Sequence, residues 1–209
     1  MNNSKKHRFI GAMLFLFSSN LTNTTMNKRF LIVAGILLAA ALTRLLPHPM
    51  NFAPLGAMSL FGAAYMKDKK FAFILPMLAF YLSDLVINNV MYGSYYNGFT
   101  LFTPGFAWVY GSIFAIVLVG ILLLKKITPA RAIGGSLLAS VLFFAISNFG
   151  VWLSDPDYPL NVTGLILCYE MAIPFFKNTL MGDLAYVAVM FGTFEFAKAK
   201  VPALQQELA

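Results

Sequence analysis

Four polar side chains interrupt long apolar segments of this sequence, namely Arg44, Asp84, Asn148 and Asp183. An ionisable group within a membrane segment is costly, and it indicates either a functional site or an internal ion pair. With a helical rise of about 1.5 Å per residue, the first three lie about 21 to 25 Å from the basic end of their segments. Asp183 lies about 10 Å below the opposite end of the last segment. We therefore expect all four to meet at a similar depth, in the half of a bundle that faces away from the basic connections.

The chemistry of these residue types favours a pocket for a small polar molecule. Arg44 can offer a planar fork of N–H donors, and the two aspartates can act as acceptors or ion partners. An Arg–Asp pair that only locks the helices, without a ligand, explains the same residues. Two aspartates could also share a proton as a catalytic dyad. Because no nucleophile–base pair accompanies them, we expect no enzymatic activity.

The connection RLLPHPMNFAP (44–54) combines three prolines with polar residues. Prolines restrict φ and bias the preceding residue towards extended conformations, so we expect His48 and Asn51 to be held above the pocket. Such preorganisation reduces the entropy lost on binding. The alternative is local: the prolines end one helix, Asn51 caps the next, and His48 has no ligand. With one histidine on this side, we expect no metal site and no other cofactor.

Two further candidates for substrate contact, Trp152 and Glu170, follow from the last third of the sequence. Asn148 and Trp152 lie at the end of the fifth apolar segment. Glu170 lies before Pro174, and Lys177 lies after it. Glu170 and Lys177 are either a gate pair on the outer side or exposed interfacial charges. The aromatic residues of 91–106 are typical of a belt at the lipid–water boundary, with a movable lid as the alternative.

The composition places these residues in a membrane protein. Of 209 residues, 59% are hydrophobic and 11% are charged, far from the balance of soluble domains. The formal charge of +7 is typical of basic cytoplasmic loops, so we expect no nucleic-acid partner. We predict an all-α bundle of six transmembrane helices, with a short interfacial helix over 163–173. The six crossings are predicted at 28–46, 53–66, 70–88, 104–124, 131–153 and 176–197.

Basic residues orient this bundle. All but two of the 15 lysines and arginines, Arg44 and Lys177, fall on one side of the predicted crossings. By the positive-inside rule that side is cytoplasmic, which places both termini inside and the polar pocket outside. We expect residues 1–25 to be a dispensable extension, 26–200 to be the membrane domain, and 201–209 to be a cytoplasmic tail.

Small residues recur at four-residue spacing on the first helix. Gly35 and Ala39 allow a close approach of helices, either within the bundle or against a partner protein.

The segments RLLPHPMNFAPLGAMSLFGAAY (44–65), YLSDLVI (81–87), NFGVWL (148–153) and CYEMAIPFFKNTLMGDLAY (168–186) carry a resemblance. They resemble a family of small bacterial integral membrane proteins of unknown function over 28–197, which implies the bacterial inner membrane. The six-helix plan also resembles the substrate-binding S components of energy-coupling-factor transporters. That resemblance implies a vitamin-like substrate, a membrane coupling protein docked near Gly35 and Ala39, and separate ATPase subunits. The alternative is a structural or interaction membrane protein without a ligand.

Overall fold

The computed structural model describes residues 28–96 and 98–201, and this part of the chain contains six α-helices and no strand. The predicted all-α class is therefore confirmed. The predictions for residues 1–25 and for most of the C-terminal tail lie outside the described residues. The helices are α1 (Lys28–Thr43), α2 (Leu55–Tyr65), α3 (Lys69–Val86, continued by a π-helical turn, Ile87–Met91), α4 (Phe106–Leu123), α5 (Pro129–Ser154) and α6 (Val162–Lys200).

Four of these helices are long and apolar enough to cross a membrane: α3 with its π turn, α4, α5 and α6. This agrees with the predicted membrane class. The other two, α1 and α2, are shorter apolar helices. With 11 residues, α2 is about 16 Å long, which is too short to cross about 30 Å of hydrocarbon. The predicted crossing over 53–66 is therefore replaced by a short buried helix, and the orientation of the termini stays a prediction.

Helix α2 is the centre of the bundle. Ten of its 11 residues are buried, and it contacts each of the five other helices. This agrees with its composition, since a helix that is apolar on all sides is typically buried on all sides. Phe61 and Tyr65 pack against Phe191 and Phe194 of α6, with ring centroids 4.2 to 5.6 Å apart. The core of the protein therefore surrounds α2.

Opposite charges hold the two ends of α2. At its N-terminus, the backbone N–H of Ala57 donates to Asp183 Oδ1 over 3.2 Å. At its C-terminus, Lys69 Nζ donates to the carbonyl oxygens of Ala63 and Met66, each over 3.1 Å. Helix ends carry unpaired N–H and C=O groups, and the helix dipole favours an anion at the first end and a cation at the second. These side chains therefore fix α2 along its axis.

The predicted interfacial helix over 163–173 is wrong as a separate element, because Val162–Lys200 is one continuous helix that contains Pro174. A proline inside a helix removes one backbone hydrogen bond, and packing against neighbouring helices can compensate for that loss. Here the rings of Phe144 on α5 and Phe176 on α6 lie 4.8 Å apart, just beyond the proline. The N-terminus of α6 is capped by Asn161, whose side chain accepts from Gly164 N–H over 2.9 Å.

Candidate functional site: a polar cavity at one end of the bundle

A cavity of about 380 Å³ lies where the end of α1, the end of α3 and the beginning of α4 meet the middle of α5 and α6. The proline-rich 44–54 loop forms part of its wall. Five of the sequence-predicted site residues line it: Arg44, His48, Asn51, Asp84 and Asp183. Three of these residues belong to the 44–54 loop, Asp84 belongs to α3 and Asp183 belongs to α6, so one loop and two helices supply them. Their role in ligand binding stays a prediction.

Arg44 joins three helices at the cavity. Its guanidinium donates to Asp84 Oδ1 over 2.7 Å, to the Phe80 carbonyl oxygen over 3.2 Å, and to the Ser83 hydroxyl. The guanidinium carbon also lies 3.6 Å from the centre of the Phe80 ring. On α4, Tyr110 donates its hydroxyl to the other Asp84 oxygen over 3.0 Å. The predicted Arg–Asp pair is therefore present, and it links the end of α1 to α3 and α4.

Asp183 occupies a separate, deeper position on the cavity wall. It is 1% exposed, and its carboxylate accepts from the Ala57 N–H and from the Ser140 hydroxyl, the latter over 2.7 Å. A Cβ on Gly56 would lie 2.5 Å from Asp183 Oδ2, so only glycine fits at that position. The partners of this carboxylate are the N-terminus of α2 and a serine of α5, whereas Arg44 pairs with Asp84.

The 44–54 loop is held against α6. The Asn178 side chain donates to the Met50 carbonyl over 2.9 Å, and a Cβ on Gly182 would lie 3.1 Å from the backbone nitrogen of Ala53. Asn51 has a positive φ of 63°, a left-handed conformation that asparagine tolerates better than most residues. The residue at the N-cap of α2 is Pro54, so the local alternative in which Asn51 caps this helix is wrong.

His48 lies at the exposed rim of the cavity. Its Nδ1 is 2.9 Å from the Pro49 carbonyl oxygen, and its Nε2 is 3.3 Å from the Arg44 carbonyl oxygen. Both ring nitrogens therefore contact the backbone of the same loop. Within the described residues, no group of three or more His, Cys, Asp or Glu side chains could hold a metal ion.

The structure does not place the other three predicted residues in the main cavity. Asn148 lines a smaller cavity of about 210 Å³, which shares Asn51 with the main one. Trp152 Nε1 donates to the Pro159 carbonyl over 3.0 Å and joins α5 to the following loop. Glu170 is exposed beside an otherwise apolar groove between α5 and α6.

Several lining residues were not predicted from the sequence. Tyr110 binds Asp84, and the remaining polar additions are Asn88, Tyr92, Thr103 and Thr179. Asn88 belongs to the π-helical turn at the end of α3, and such turns are frequent at functional sites. The signal for Tyr110 in the sequence is a hydroxyl group in the largely apolar α4, one helical turn after Phe106.

The predicted docking residues lie on the outside of the bundle. Gly35 and Ala39 are both exposed on α1, and a Cβ on Gly35 would meet no atom within 4 Å. These small residues do not serve packing within the described part of the chain. Docking of a partner on this face stays a prediction.

The fold and the cavity together define a helical membrane protein with four candidate spans and a polar chamber at one end of the bundle. The chain belongs to DUF6580, a family of unknown function whose model matches residues 24–204. This confirms the resemblance to a family of unknown function. No curated protein and no solved structure matches the chain, so the resemblance to the S components of energy-coupling-factor transporters has no support from these comparisons.

Proposed function

We propose that this protein captures a small polar molecule in the cavity beside the 44–54 loop, from the outer face of a bacterial inner membrane. The observation that carries the proposal is the convergence of polar side chains on a cavity of about 380 Å³. This volume falls within the range of about 300 to 1,000 Å³ that is typical of small-molecule sites. Soluble ligands reach such a site only if it opens to water on one side of the membrane.

A structural membrane protein without a ligand is the alternative. It is favoured by the Arg44–Asp84–Tyr110 network, because these side chains satisfy one another inside the protein. Capture is favoured by Asn51 and Asn88, whose side-chain amides line the same cavity and make no hydrogen bond within the described residues. The two functions differ in whether water and solutes enter the cavity.

Binding without catalysis is part of the proposal. Each carboxylate that lines the cavity is held by its own donors, Asp84 by Arg44 and Tyr110, and Asp183 by Ala57 and Ser140. These donors orient both carboxylates towards parts of the protein, whereas a general base must lie within hydrogen-bond reach of the proton that it removes from the substrate. These carboxylates are therefore better suited to holding the site than to moving a proton.

If capture serves transport, energy must come from partners. We include in the proposal a membrane coupling protein and ATPase subunits, for which the exposed Gly35 and Ala39 offer a face where another helix can approach closely. Purification from the native host in mild detergent, followed by mass spectrometry, tests this part. An ATPase pair that co-purifies with the wild-type protein and not with Gly35→Leu supports it. A protein that purifies alone counts against coupling and leaves capture to its own test.

Small-molecule retention tests capture itself. Thr103 lines the cavity in the loop before α4, whereas Leu101 lies two residues away, 53% exposed and outside the cavity wall. Thr103→Trp is expected to fill the entrance, and Leu101→Trp adds the same ring elsewhere as the matched control. Each purified protein is extracted, and mass spectrometry should find the same compound in the extracts of the wild type and of Leu101→Trp, and none in the extract of Thr103→Trp. Equal retention by both variants, or no retention by the wild type, would favour the structural alternative.

A further inference from the structure

The charged side chains Arg44, Asp84 and Asp183 at the cavity already have partners within the protein. Arg44 pairs with Asp84 over 2.7 Å, and Asp183 is bound at the N-terminus of α2 and by the Ser140 hydroxyl. His48 lies at the exposed rim, with its ring nitrogens on carbonyl oxygens of its own loop. A charged ligand would therefore enter a partly desolvated site without a free counter-ion, which is unfavourable. This arrangement favours a ligand without net charge.

Two side-chain amides at the cavity are available to such a ligand. Asn51 and Asn88 both line it, and within the described residues neither side chain makes a hydrogen bond. Each amide offers two donors and one acceptor oxygen. They lie on different elements, Asn51 in the 44–54 loop and Asn88 in the π-helical turn. A ligand with its own donors and acceptors can bind both.

The neighbouring Asn89 shows the contrast. Its side chain donates to the carbonyl oxygens of Leu85 and Thr100, each over 2.9 Å, and accepts from the Thr100 N–H over 2.7 Å. Asn89 therefore fastens the loop after α3 to the end of that helix. Of these two consecutive asparagines, one is committed to structure and the other has a free amide in the cavity.

Aromatic rings form part of the apolar wall of the cavity, beside aliphatic side chains. Phe80, Phe106, Tyr110 and Phe143 line the cavity. Phe106 and Tyr110 are stacked, with ring centroids 4.2 Å apart and planes inclined by 29°. Flat aromatic walls favour flat ligands, because offset stacking adds to the burial of apolar area.

We propose that the ligand is an uncharged, flat molecule with both hydrogen-bond donors and acceptors, of the aromatic carboxamide type, and that Asn51 and Asn88 determine this specificity. The inference rests on the proposed function and names the substrate class of that same site. Its basis is the juxtaposition of two free amides, an internally neutralised charge network and an aromatic wall in one cavity.

Three probes of nearly the same shape test the charge of the ligand. Benzamide is neutral, benzoate is an anion and benzamidine is a cation, and binding of each to the detergent-purified full chain is measured by saturation-transfer NMR. We expect benzamide to bind about tenfold more tightly than either charged probe, a difference of about 1.4 kcal/mol. Tighter binding of benzoate or benzamidine overturns the inference and leaves capture standing. If none of the three binds, the inference is overturned, and the retention experiment decides whether capture stands.

Variants of the asparagines test their role. Asn88→Ala should weaken benzamide binding about tenfold, a loss of about 1.4 kcal/mol, and leave the melting temperature unchanged. Asn89→Ala, the matched neighbour, should lower the melting temperature because three hydrogen bonds are lost. Asn51→Asp keeps the shape and tolerates the positive φ, and it should shift preference from benzamide to benzamidine. If Asn88→Ala and Asn51→Asp both bind the three probes as the wild type does, the assignment of specificity to these two asparagines is overturned.

Discussion

Replacing Arg44 with methionine is expected to destabilise the protein mainly because the Asp84 carboxylate loses its cation. Methionine retains a flexible apolar side chain that can pack against Phe80. The substitution removes three hydrogen bonds and the cation–π interaction with the Phe80 ring. Asp84 then keeps one partner, the Tyr110 hydroxyl. A charge left in a partly desolvated site without its counter-ion is the source of the cost.

The structure sets the size of this effect. Removing one partner of a fully buried ion pair costs about 3 to 5 kcal/mol. The side chains of Arg44 and Asp84 are 12% and 22% exposed, so water offsets part of that loss. We expect Arg44→Met to cost about 2 to 3 kcal/mol, below the fully buried range. For a chain of this size, that lowers the melting temperature by about 5 to 10 °C.

A double-mutant cycle separates the pair from its surroundings. Asp84→Asn keeps an acceptor for Tyr110 and removes the charge, so the double variant should be little worse than Arg44→Met alone. The coupling energy is expected to be about 1 to 2 kcal/mol, measured by thermal unfolding in detergent. Arg131→Met is the control, since Arg131 is exposed and donates only to backbone carbonyls at 3.4 and 3.5 Å. If the costs of the two single variants sum to the cost of the double variant within about 0.5 kcal/mol, the two side chains are not coupled, and the proposed role of the pair is refuted.

Substitutions at two further sites test the packing of the bundle, both by the same unfolding measurement. Asp183→Leu should lower the free energy of unfolding by about 2 to 4 kcal/mol, because the Ala57 N–H loses its buried acceptor. Asp183→Asn keeps an acceptor oxygen and should cost less. Equal costs of the two variants would contradict the role of Asp183 at the N-terminus of α2. Gly150→Ala would place a Cβ 2.1 Å from the Trp108 ring and should lower the free energy of unfolding by about 1 to 3 kcal/mol. Gly35→Ala is the control, because its Cβ would lie in open space, and it should be neutral or slightly stabilising. A neutral Gly150→Ala would contradict the close contact of α4 with α5.

The sequence predicts those helices whose apolar runs end at charged or proline-rich connections. The segment predicted at 104–124 is α4, Phe106–Leu123, and the one at 131–153 is α5, Pro129–Ser154. Pro174 misled the prediction, because the local rule for proline does not include the tertiary contacts that keep α6 continuous. The burial of α2 also depends on tertiary structure, since an apolar segment has the same composition in lipid and in a protein core.

The candidate site could be predicted in part. Counting helical rises placed Arg44 and Asp84 at one level, and the structure pairs them. The same count placed Asp183 near this level, but its partner is the N-terminus of a helix that the sequence presents as a crossing. Asn88 was not predicted because it is the last residue of the crossing expected at 70–88, and its position depends on a π-helical turn that no residue pattern marks.

Accessibility of the cavity from outside tests the central claim most directly. A cysteine is placed at Asn88 in a background where the buried Cys168 is replaced by alanine, and intact cells are treated with a membrane-impermeant thiol reagent. Tyr95→Cys, at a side chain that is 81% exposed beyond α3, is the outer control, and Lys125→Cys after α4 is the inner control. We predict that Asn88→Cys and Tyr95→Cys react and that Lys125→Cys does not. A reactive Tyr95→Cys beside an unreactive Asn88→Cys would show a closed cavity and contradict capture.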